Sequence, residues 1–502
     1  MANTLSADYL NPFILGTDAE FGRMRRLLRE SSFCESTILE RAGIPSIYQF
    51  EPDLKRAQQP VTFNDRLDCL VGLLMHGHVA GEQEIRRFLE PKDLTVLESL
   101  GVIGRVATDP DLCYGTAFVY PVENVWVASD RTFPPLGEKD AQLPADVVFA
   151  AITRHTQRFL AAIPRDPCRR LLDLCAGSGI AALIAGGSFA TEACAADLGP
   201  RCVHFSEFSR RLNGFENVWT AQGDLYGAVD GEKFDRIVAH PPFVPAKENS
   251  LLFRDGGQDG EQIFRRIIEE LPAHLAEGGR LHCLTFATDR QSGELEERVR
   301  GWLGAAQEDF DVVIVAAEVR KRPEGLLDAA KQSSPHLKLG DSGEMLERVG
   351  ATALFYGSVM VQRKSNGRPA FTARTLKSPR AGYQAAEQYR QMATRLHSME
   401  AGEPLLALKP KVVSAFRLMV THKPGASGLE PCEYLLRVDQ PFIAEANVES
   451  GVAAVIHSCS GEKTGSEIFR ELSAGGVMSP DSDRMEFSQL LRTLALNGFI
   501  AF

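Results

Sequence analysis

The spacing of apolar positions changes several times along this 502-residue chain. Between 18 and 104 they recur at helical intervals: Phe21, Met24, Leu27 and Leu28, then Leu67, Leu70, Val71 and Leu74, then Ile85, Phe88 and Leu89. This predicts short helices over residues 1–105, with Leu97–Ile103 leading from the last helix into a strand. A winged-helix module fits that order, and a plain helical cap is the simpler alternative. Over 112–130 the period falls to two (Tyr114, Phe118, Tyr120, Val125, Val127), which predicts a β-hairpin turning at Pro121-Val122-Glu123-Asn124. A Pro- and Gly-rich loop follows over 132–144. An amphipathic helix is then expected over 146–162 through Val147, Val148, Ala151, Ile152, Phe159 and Leu160. Residues 106–164 thus read as a link into a core.

From 165 to 365 strand and helix alternate. Strands are predicted at 170–174, 192–196, 217–222, 235–239, 279–286, 311–316 and 353–363, and helices at 179–186, 200–213, 260–276 and 292–304. Such alternation means an α/β fold with a doubly wound sheet. The last two strands are expected to form its antiparallel edge. Between them, residues 320–350 carry Lys321, Arg322, Lys331 and Lys338 in a polar insertion, either a solvated loop with a helix or a substrate lid. The pattern changes after Lys364-Ser365-Asn366-Gly367, so a C-terminal α+β domain is placed over 366–502. It has a helix at 381–399, strands at 412–420 and 433–438, and three helices running into Gly498–Phe502, again winged-helix-like.

Three motifs in the core carry chemistry. The strand Leu171–Leu174 runs into Asp173-Leu174-Cys175-Ala176-Gly177-Ser178-Gly179, and a helix follows. Glycines let the backbone turn tightly and approach a ligand, and the helix start turns its amides toward that ligand. Asp197 ends the next apolar run, Glu192–Ala196, where such folds place the carboxylate that holds a ribose. Then Phe234–Ala239 ends in His240-Pro241-Pro242-Phe243, a rigid corner with an aromatic ring.

In this order the motifs resemble the class I S-adenosylmethionine (SAM)-dependent methyltransferases, of the branch whose fourth strand ends in Asn-Pro-Pro-Tyr or Asn-Pro-Pro-Phe. Arg254-Asp255-Gly256-Gly257-Gln258-Asp259-Gly260 is similar to the segment that follows that corner in the glutamine enzymes of the branch. The resemblance covers residues 165–365. It implies a Rossmann-like core that binds SAM and releases S-adenosylhomocysteine (SAH). It places Asp173 on the methionine side, Cys175 to Gly179 around the cofactor, Asp197 on the ribose and Leu198 on one face of the adenine. Asp224 and Leu225 fall where related enzymes contact the adenine, a helix N-cap being the plainer role for Asp224. His240 borders both cofactor and acceptor, with Pro241, Pro242 and Phe243 on the acceptor side.

His240 stands where the branch has Asn. An amide oxygen clamps an N–H, whereas an imidazole can also take a proton near neutral pH. His240 therefore fits a general base for a hydroxyl or an acidic N–H, or it shapes the pocket only. The expected reaction is methyl transfer to an oxygen or nitrogen of a small-molecule or peptide-borne acceptor. Methylation of a protein glutamine or nucleobase, and a SAM-binding scaffold without catalysis, are the alternatives.

Charge and composition narrow the partners. With 55 Lys plus Arg against 66 Asp plus Glu, the net charge is −11, and no Lys/Arg run reaches five. This argues against general affinity for nucleic acid or anionic membranes. The 10 cysteines form no C-x-x-C pair, which reads as reduced thiols in a cytoplasmic protein. No signal peptide or membrane span is expected, and no zinc site, Ser-His-Asp triad or Walker loop is recognisable, so no metal is expected.

Overall fold

The computed structural model describes residues 13–53, 60–131, 145–246, 253–321, 346–365, 367–400, 402–425, 428–478 and 483–502. The chain divides into two compact units, Met1–Thr285 and Phe286–Phe502. The predicted loop at 132–144 and most of the 320–350 insertion lie outside the described residues.

The first unit opens with the helix Asp18–Glu30. A capping box between Thr17 and Glu20 starts it, and Phe21, Met24, Leu27 and Leu28 are its buried stripe, as their spacing predicts. Helices Glu35–Ala42, Arg66–Leu70 and Pro91–Ser99 follow. Strands β1 (Val79–Gly81), β2 (Ile103–Val106) and β3 (Asp109–Gly115) form a small antiparallel sheet in the order β1-β3-β2. Tyr114 therefore belongs to this sheet and not to the next hairpin. That hairpin, β4 (Phe118–Val122) and β5 (Val125–Ser129), turns at Glu123 and Asn124, both left-handed with φ 47° and 69°. Two such residues make the tight turn whose twist matches the strands.

The helix expected over 146–162 begins only at Arg154 and ends at Ala162, with Thr153 as its N-cap. The preceding backbone groups bond elsewhere. Asp130 and Val148 exchange two hydrogen bonds of 2.8 and 2.9 Å, and Ala151 N–H donates to the Tyr120 oxygen at 2.6 Å. Local periodicity cannot foresee partners that distant in sequence.

Five strands build the main sheet of this unit: β6 (Cys168–Leu174), β7 (Ala190–Asp197), β8 (Val218–Gln222), β9 (Phe234–Ala239) and β10 (Leu275–Arg290), the last continuing past the unit boundary. Their order is β10-β9-β6-β7-β8, and every pair is parallel. The connecting helices are Ile180–Ser188, Pro200–Asn213 and Gln262–His274. Leu171, Leu172, Ile237, Val238 and Ala239 are fully buried, as strands of a covered parallel sheet must be. The order reverses between β6 and β9, and in an open α/β sheet ligands bind outside the strand ends at that reversal.

In the second unit β11 (Phe310–Lys321) and β12 (Ala351–Arg363) pair antiparallel, as expected. However, β11 is not an edge: β13 (Thr372–Lys377) lies parallel on its other side. β13 was not anticipated, since Thr372–Lys377 offers only Ala373 and Leu376 as apolar positions. Then come helix Ala385–Ser398 and strands β14 (Lys411–Val412), β15 (Phe416–Gly425), β16 (Gly428–Val438) and β17 (Phe442–Val448). β15, β16 and β17 make a meander that joins β13 through β17, a strand also missing from the sequence reading. Three helices, Ser450–Ser458, Gly465–Ala474 and Arg484–Leu496, end in β18 (Ile500–Ala501), which pairs with β14. Among the described residues no helix is long and apolar enough to cross a membrane.

Candidate active site

The loop after β6 is held open by three left-handed residues, Cys175 (φ 56°), Gly177 (φ 56°) and Gly179 (φ 76°). The two glycines serve different ends. At Gly179 a Cβ would lie 2.8 Å from Ser206 Oγ, so glycine is needed for the loop to pack on the Pro200–Asn213 helix. At Gly177 a Cβ would meet nothing within 4 Å, so open space borders the loop there. Cys175 adopts a conformation that costs an ordinary L-residue roughly 1–2 kcal/mol. Ala176 N–H donates to Ala196 O at 3.1 Å and ties the loop to the end of β7. Ser178 is buried.

Asp197 sits at that end. Its Oδ2 accepts from Gly177 N–H at 2.8 Å and its Oδ1 from Gly199 N–H at 2.9 Å. Each oxygen keeps a further lone pair, so the carboxylate is oriented yet still able to accept ribose hydroxyls. Beside it Leu198 is 52% exposed, a large apolar side chain left in water where an adenine would cover it. Asp173 is buried on the other side of the loop, and its Oδ2 accepts from Ala182 N–H at 3.2 Å. Burial pushes its carboxyl up to about 7; the Ala182 bond opposes this and the Asp197 charge adds to it. A buried acid poised so high can be recharged by a cationic amine. These features suit the amine, ribose and adenine of SAM.

Gly223 N–H donates to Asp197 O at 3.0 Å and brings the loop after β8 to the same edge. Here the sequence missed a partner. Asp224 makes no N-cap bond; its two oxygens accept from Arg266 Nη1 and Nη2, both at 3.0 Å. Leu225 is buried and left-handed, with φ 51°.

The His-Pro-Pro-Phe corner follows β9. His240 lies within a cluster of rings: Phe159 stacks on it with centroids 5.4 Å apart, Phe243 is 5.9 Å away, and His155 is 6.4 Å from Phe243. His155 and Phe159 are four residues apart on one helix, hence on one face. That spacing was visible in the sequence, but nothing there pointed it at the corner. His240 Nε2 is buried and has no hydrogen-bond partner. Burial pushes the imidazole down to about 3, and the charge of His155 adds to this. Across the neutral range His240 is therefore uncharged, with one ring nitrogen able to accept a hydrogen bond. The expectation of a group titrating near neutrality does not hold for the unliganded protein.

The glycine-rich segment 254–260 lies directly on the corner. At Gly256 a Cβ would come within 2.8 Å of both Phe243 Cα and Pro242 O. At Gly260 it would come within 2.5 Å of Phe243 O. Val244 N–H donates to Arg254 O and Gly256 N–H to Val244 O, both at 2.9 Å. Asp255 is buried beneath, with Arg254 Nε at 2.6 Å. Segment and corner thus brace each other.

Comparison with known proteins relates part of this chain to methyltransferases. Residues 148–312 match the family model of the methyltransferase small domain. The ribosomal protein uL3 glutamine methyltransferase of Bradyrhizobium diazoefficiens is 33% identical over 127 residues, 23% of this chain and 40% of that protein. The release factor glutamine methyltransferase of Thermodesulfovibrio yellowstonii is 31% identical over 122 residues, 22% of this chain and 44% of that protein. The solved ribosomal protein L11 methylase from Lactobacillus delbrueckii subsp. bulgaricus aligns over 42% of this chain and 80% of its own, at 18% identity and a TM-score of 0.25. The chain spans between 40% and 60% of the length of the curated relatives it matches. Residues 148–312 are thus similar to the methyltransferase small domain, the part of this chain that the relatives also cover.

Proposed function

We propose that this chain transfers the methyl group of SAM to an oxygen or nitrogen of a peptide-borne or small-molecule acceptor at the His240 corner. The observation that carries this reading is the buried His240 Nε2, without a partner, just past the end of β9, the strand that pairs with β6 through Val238 and Asp173. Buried polar atoms are nearly always paired, so a donor brought by the acceptor is the natural complement. SAM, when bound, supplies a methyl group already activated on a sulfonium.

The protein's own residues then have separate tasks. Asp197 orients the ribose, Asp173 receives the methionine ammonium, and Leu198 and Leu225 cover the adenine. Pro241 and Pro242 fix the corner, and Phe243 offers a face to a flat group. Phe149 and Phe253, 40% and 41% exposed with rings 4.4 Å apart, form a second aromatic pair, and Arg254, next to Phe253, accepts through its carbonyl from Val244 N–H, next to Phe243. His240 accepts the acceptor's N–H or O–H and turns its lone pair toward the methyl group. As a base His240 is weak, so it takes the proton only as the new bond to carbon makes that proton strongly acidic. Alignment supplies most of the acceleration.

A protein glutamine amide is the second reading, favoured by the two relatives named for that reaction. We also read residues 1–105 and the C-terminal helices as winged-helix-like modules flanking the 165–365 core, in a cytoplasmic protein.

The test is methyl transfer from radiolabelled SAM to a panel holding ribosomal protein uL3, a release factor, and small amides, amines and phenols. Wild type should label at least one member, and His240→Ala should cut that labelling by roughly 100-fold while SAH still binds. SAH binding with no transfer to any member would instead support the non-catalytic scaffold.

A further inference from the structure

The loop after β8 is tied on two sides. Gln222, the last residue of β8, lies opposite Asp197 in the parallel pairing, and Gly223 N–H donates to Asp197 O at 3.0 Å. On the other side the loop meets the helix Gln262–His274. Tyr226 Oη donates to Ile267 O at 3.2 Å, and Arg266 Nη1 and Nη2 each donate to one oxygen of Asp224 at 3.0 Å. Arg266 approaches Glu270 only to 3.6 Å. Two parallel bonds of this kind fix the plane of a carboxylate as well as its place. They use one lone pair on each oxygen and leave the other free to accept. The pair is half in water, with 39% of the Arg266 side chain and 56% of the Asp224 side chain exposed. An ion pair so exposed adds little to stability, so its main effect is on where Asp224 points. The helix that carries Arg266 is held at its start, where Gln262 N–H donates to Gly256 O at 3.0 Å.

Asp173, Asp197 and Asp224 lie at the ends of three neighbouring strands, β6, β7 and β8, in that order. With the methionine amine at the first and the ribose at the second, the purine falls to the third. An oriented carboxylate there accepts from the 6-amino group of adenine. A 6-oxo purine turns a carbonyl oxygen toward it instead, and its N–H on that edge lies one ring position away. We propose that Arg266 is a positioning residue for the base of the cofactor: its guanidinium holds Asp224 in the plane that accepts from a 6-amino purine, and so makes the site select adenosyl cofactors over their 6-oxo counterparts. The inference rests on the cofactor reading above. Lysine at 266 could supply the charge but not the planar fork, so the orientation depends on arginine itself.

The experiment is the calorimetric affinity of the full chain for SAH and for S-inosylhomocysteine, which carries a 6-oxo purine in place of adenine. Wild type should prefer SAH by about tenfold to hundredfold, the worth of a hydrogen bond to a charged group. Arg266→Lys should bring that preference below about threefold while the ligand-free protein melts close to wild type, because an exposed ion pair carries little stability. A purely structural Arg266 would instead lower the melting temperature and weaken both ligands alike, leaving their ratio intact; that result overturns the proposal, as does equal affinity of wild type for the two ligands. Should Arg266→Lys fold poorly, Asp224→Asn is the second variant. Its amide can turn NH2 toward the base, so the preference should narrow or reverse, and a preference retained in full refutes the proposal equally. Failure of wild type to bind either ligand would sink the cofactor reading itself, an outcome distinct from these.

Discussion

Replacing Asp173 by Asn should stabilise the ligand-free protein and weaken the cofactor site together. Burial holds the folded carboxyl at about 7, above its ordinary 3.8. Between those values the native state binds a proton that the unfolded chain releases. Stability therefore declines as pH rises from about 4 to 7, and stays reduced above. At about 1.4 kcal/mol per pKa unit, the full cost approaches roughly 4 kcal/mol, an upper bound because local relaxation and water reduce it. Asn keeps an oxygen for Ala182 N–H and carries no charge. The Asn variant should melt several degrees higher at pH 8 and show little gain at pH 4.

The same poise links cofactor binding to protons. An ammonium placed beside Asp173 favours the carboxylate, so binding below pH 7 must expel a proton. SAH affinity should then fall about tenfold between pH 8 and pH 6. Calorimetry in buffers of different ionisation heat counts the proton directly. Wild type should release close to one proton at pH 6 and the Asn variant none. Equal affinity at both pH values in wild type, or the same proton release from the variant, would refute the assignment of Asp173 to the methionine amine.

Further expectations concern the rest of the site and its frame. Asp197→Ala removes two charge-assisted hydrogen bonds to the ribose and should weaken SAH by about 2–3 kcal/mol; unchanged calorimetric affinity would misplace the ribose site. His240→Asn should keep SAH binding. A variant as active as wild type, with a flat pH profile, would favour the amide-clamp role and nitrogen methylation, whereas an inactive one would favour proton acceptance by the imidazole. His240 also has a folded pKa far below its unfolded value. Its contribution is therefore intact above about pH 6.5 and lost as pH falls toward 3, and His240→Asn should flatten that acid limb in denaturation measured against pH. Arg131 is buried and donates to the carbonyls of Leu73, Leu74, Met75, Gly115 and Ala117. Arg131→Met leaves those acceptors without it and should cost about 3 kcal/mol or more in urea denaturation; a neutral variant would show that water replaces the guanidinium.

The parts of the fold legible in the sequence are those fixed by local pattern. The Pro200–Asn213 helix was placed to the residue, because Pro at its first turn and Gly214 past its end mark both limits. The alternation from β6 to β10 was readable because covered parallel strands are short apolar runs between turn residues. The turn glycines of the candidate site were legible for the same reason: Gly177 and Gly179 stand at left-handed positions just after β6. What escaped was set by distant partners. Residues 146–153 look helical until Asp130 and Tyr120 take their hydrogen bonds. β13 and β17 gain stability mainly from neighbours across the sheet. Asp224 resembled an N-cap, and only the fold brings Arg266 to it. The protonation of His240 was misjudged because depth of burial is a tertiary property.

Local conflict in this unit gathers where the chemistry is expected. Among the described residues five that are not glycine have left-handed φ: Ser32, Glu123, Asn124, Cys175 and Leu225. Glu123 and Asn124 form the hairpin turn that requires it. Cys175 lies in the turn after β6 and Leu225 opens the short 3-10 helix after β8, the two loops that border the candidate cofactor site. Close by, Asp173 is an acid buried against its own ionisation and His240 an imidazole buried with an idle nitrogen. Each opposes folding, and strained or unsatisfied groups persist only where the surroundings over-determine them. Here the surroundings are the fully buried runs of β6 and β9 and the glycine segment pressed on Pro242 and Phe243. If this conflict serves ligand binding, cofactor binding should relieve part of it. Cys175 tests that directly. Cys175→Gly removes the conformational cost and Cys175→Val increases it, because a β-branched residue tolerates the left-handed region least. The valine variant should melt lower than wild type by more than the glycine variant differs from it, and it should lose SAH affinity through a displaced Gly177 amide. Valine that leaves both the melting temperature and SAH binding unchanged would show that the loop is soft, and that its backbone is not preorganised for the cofactor.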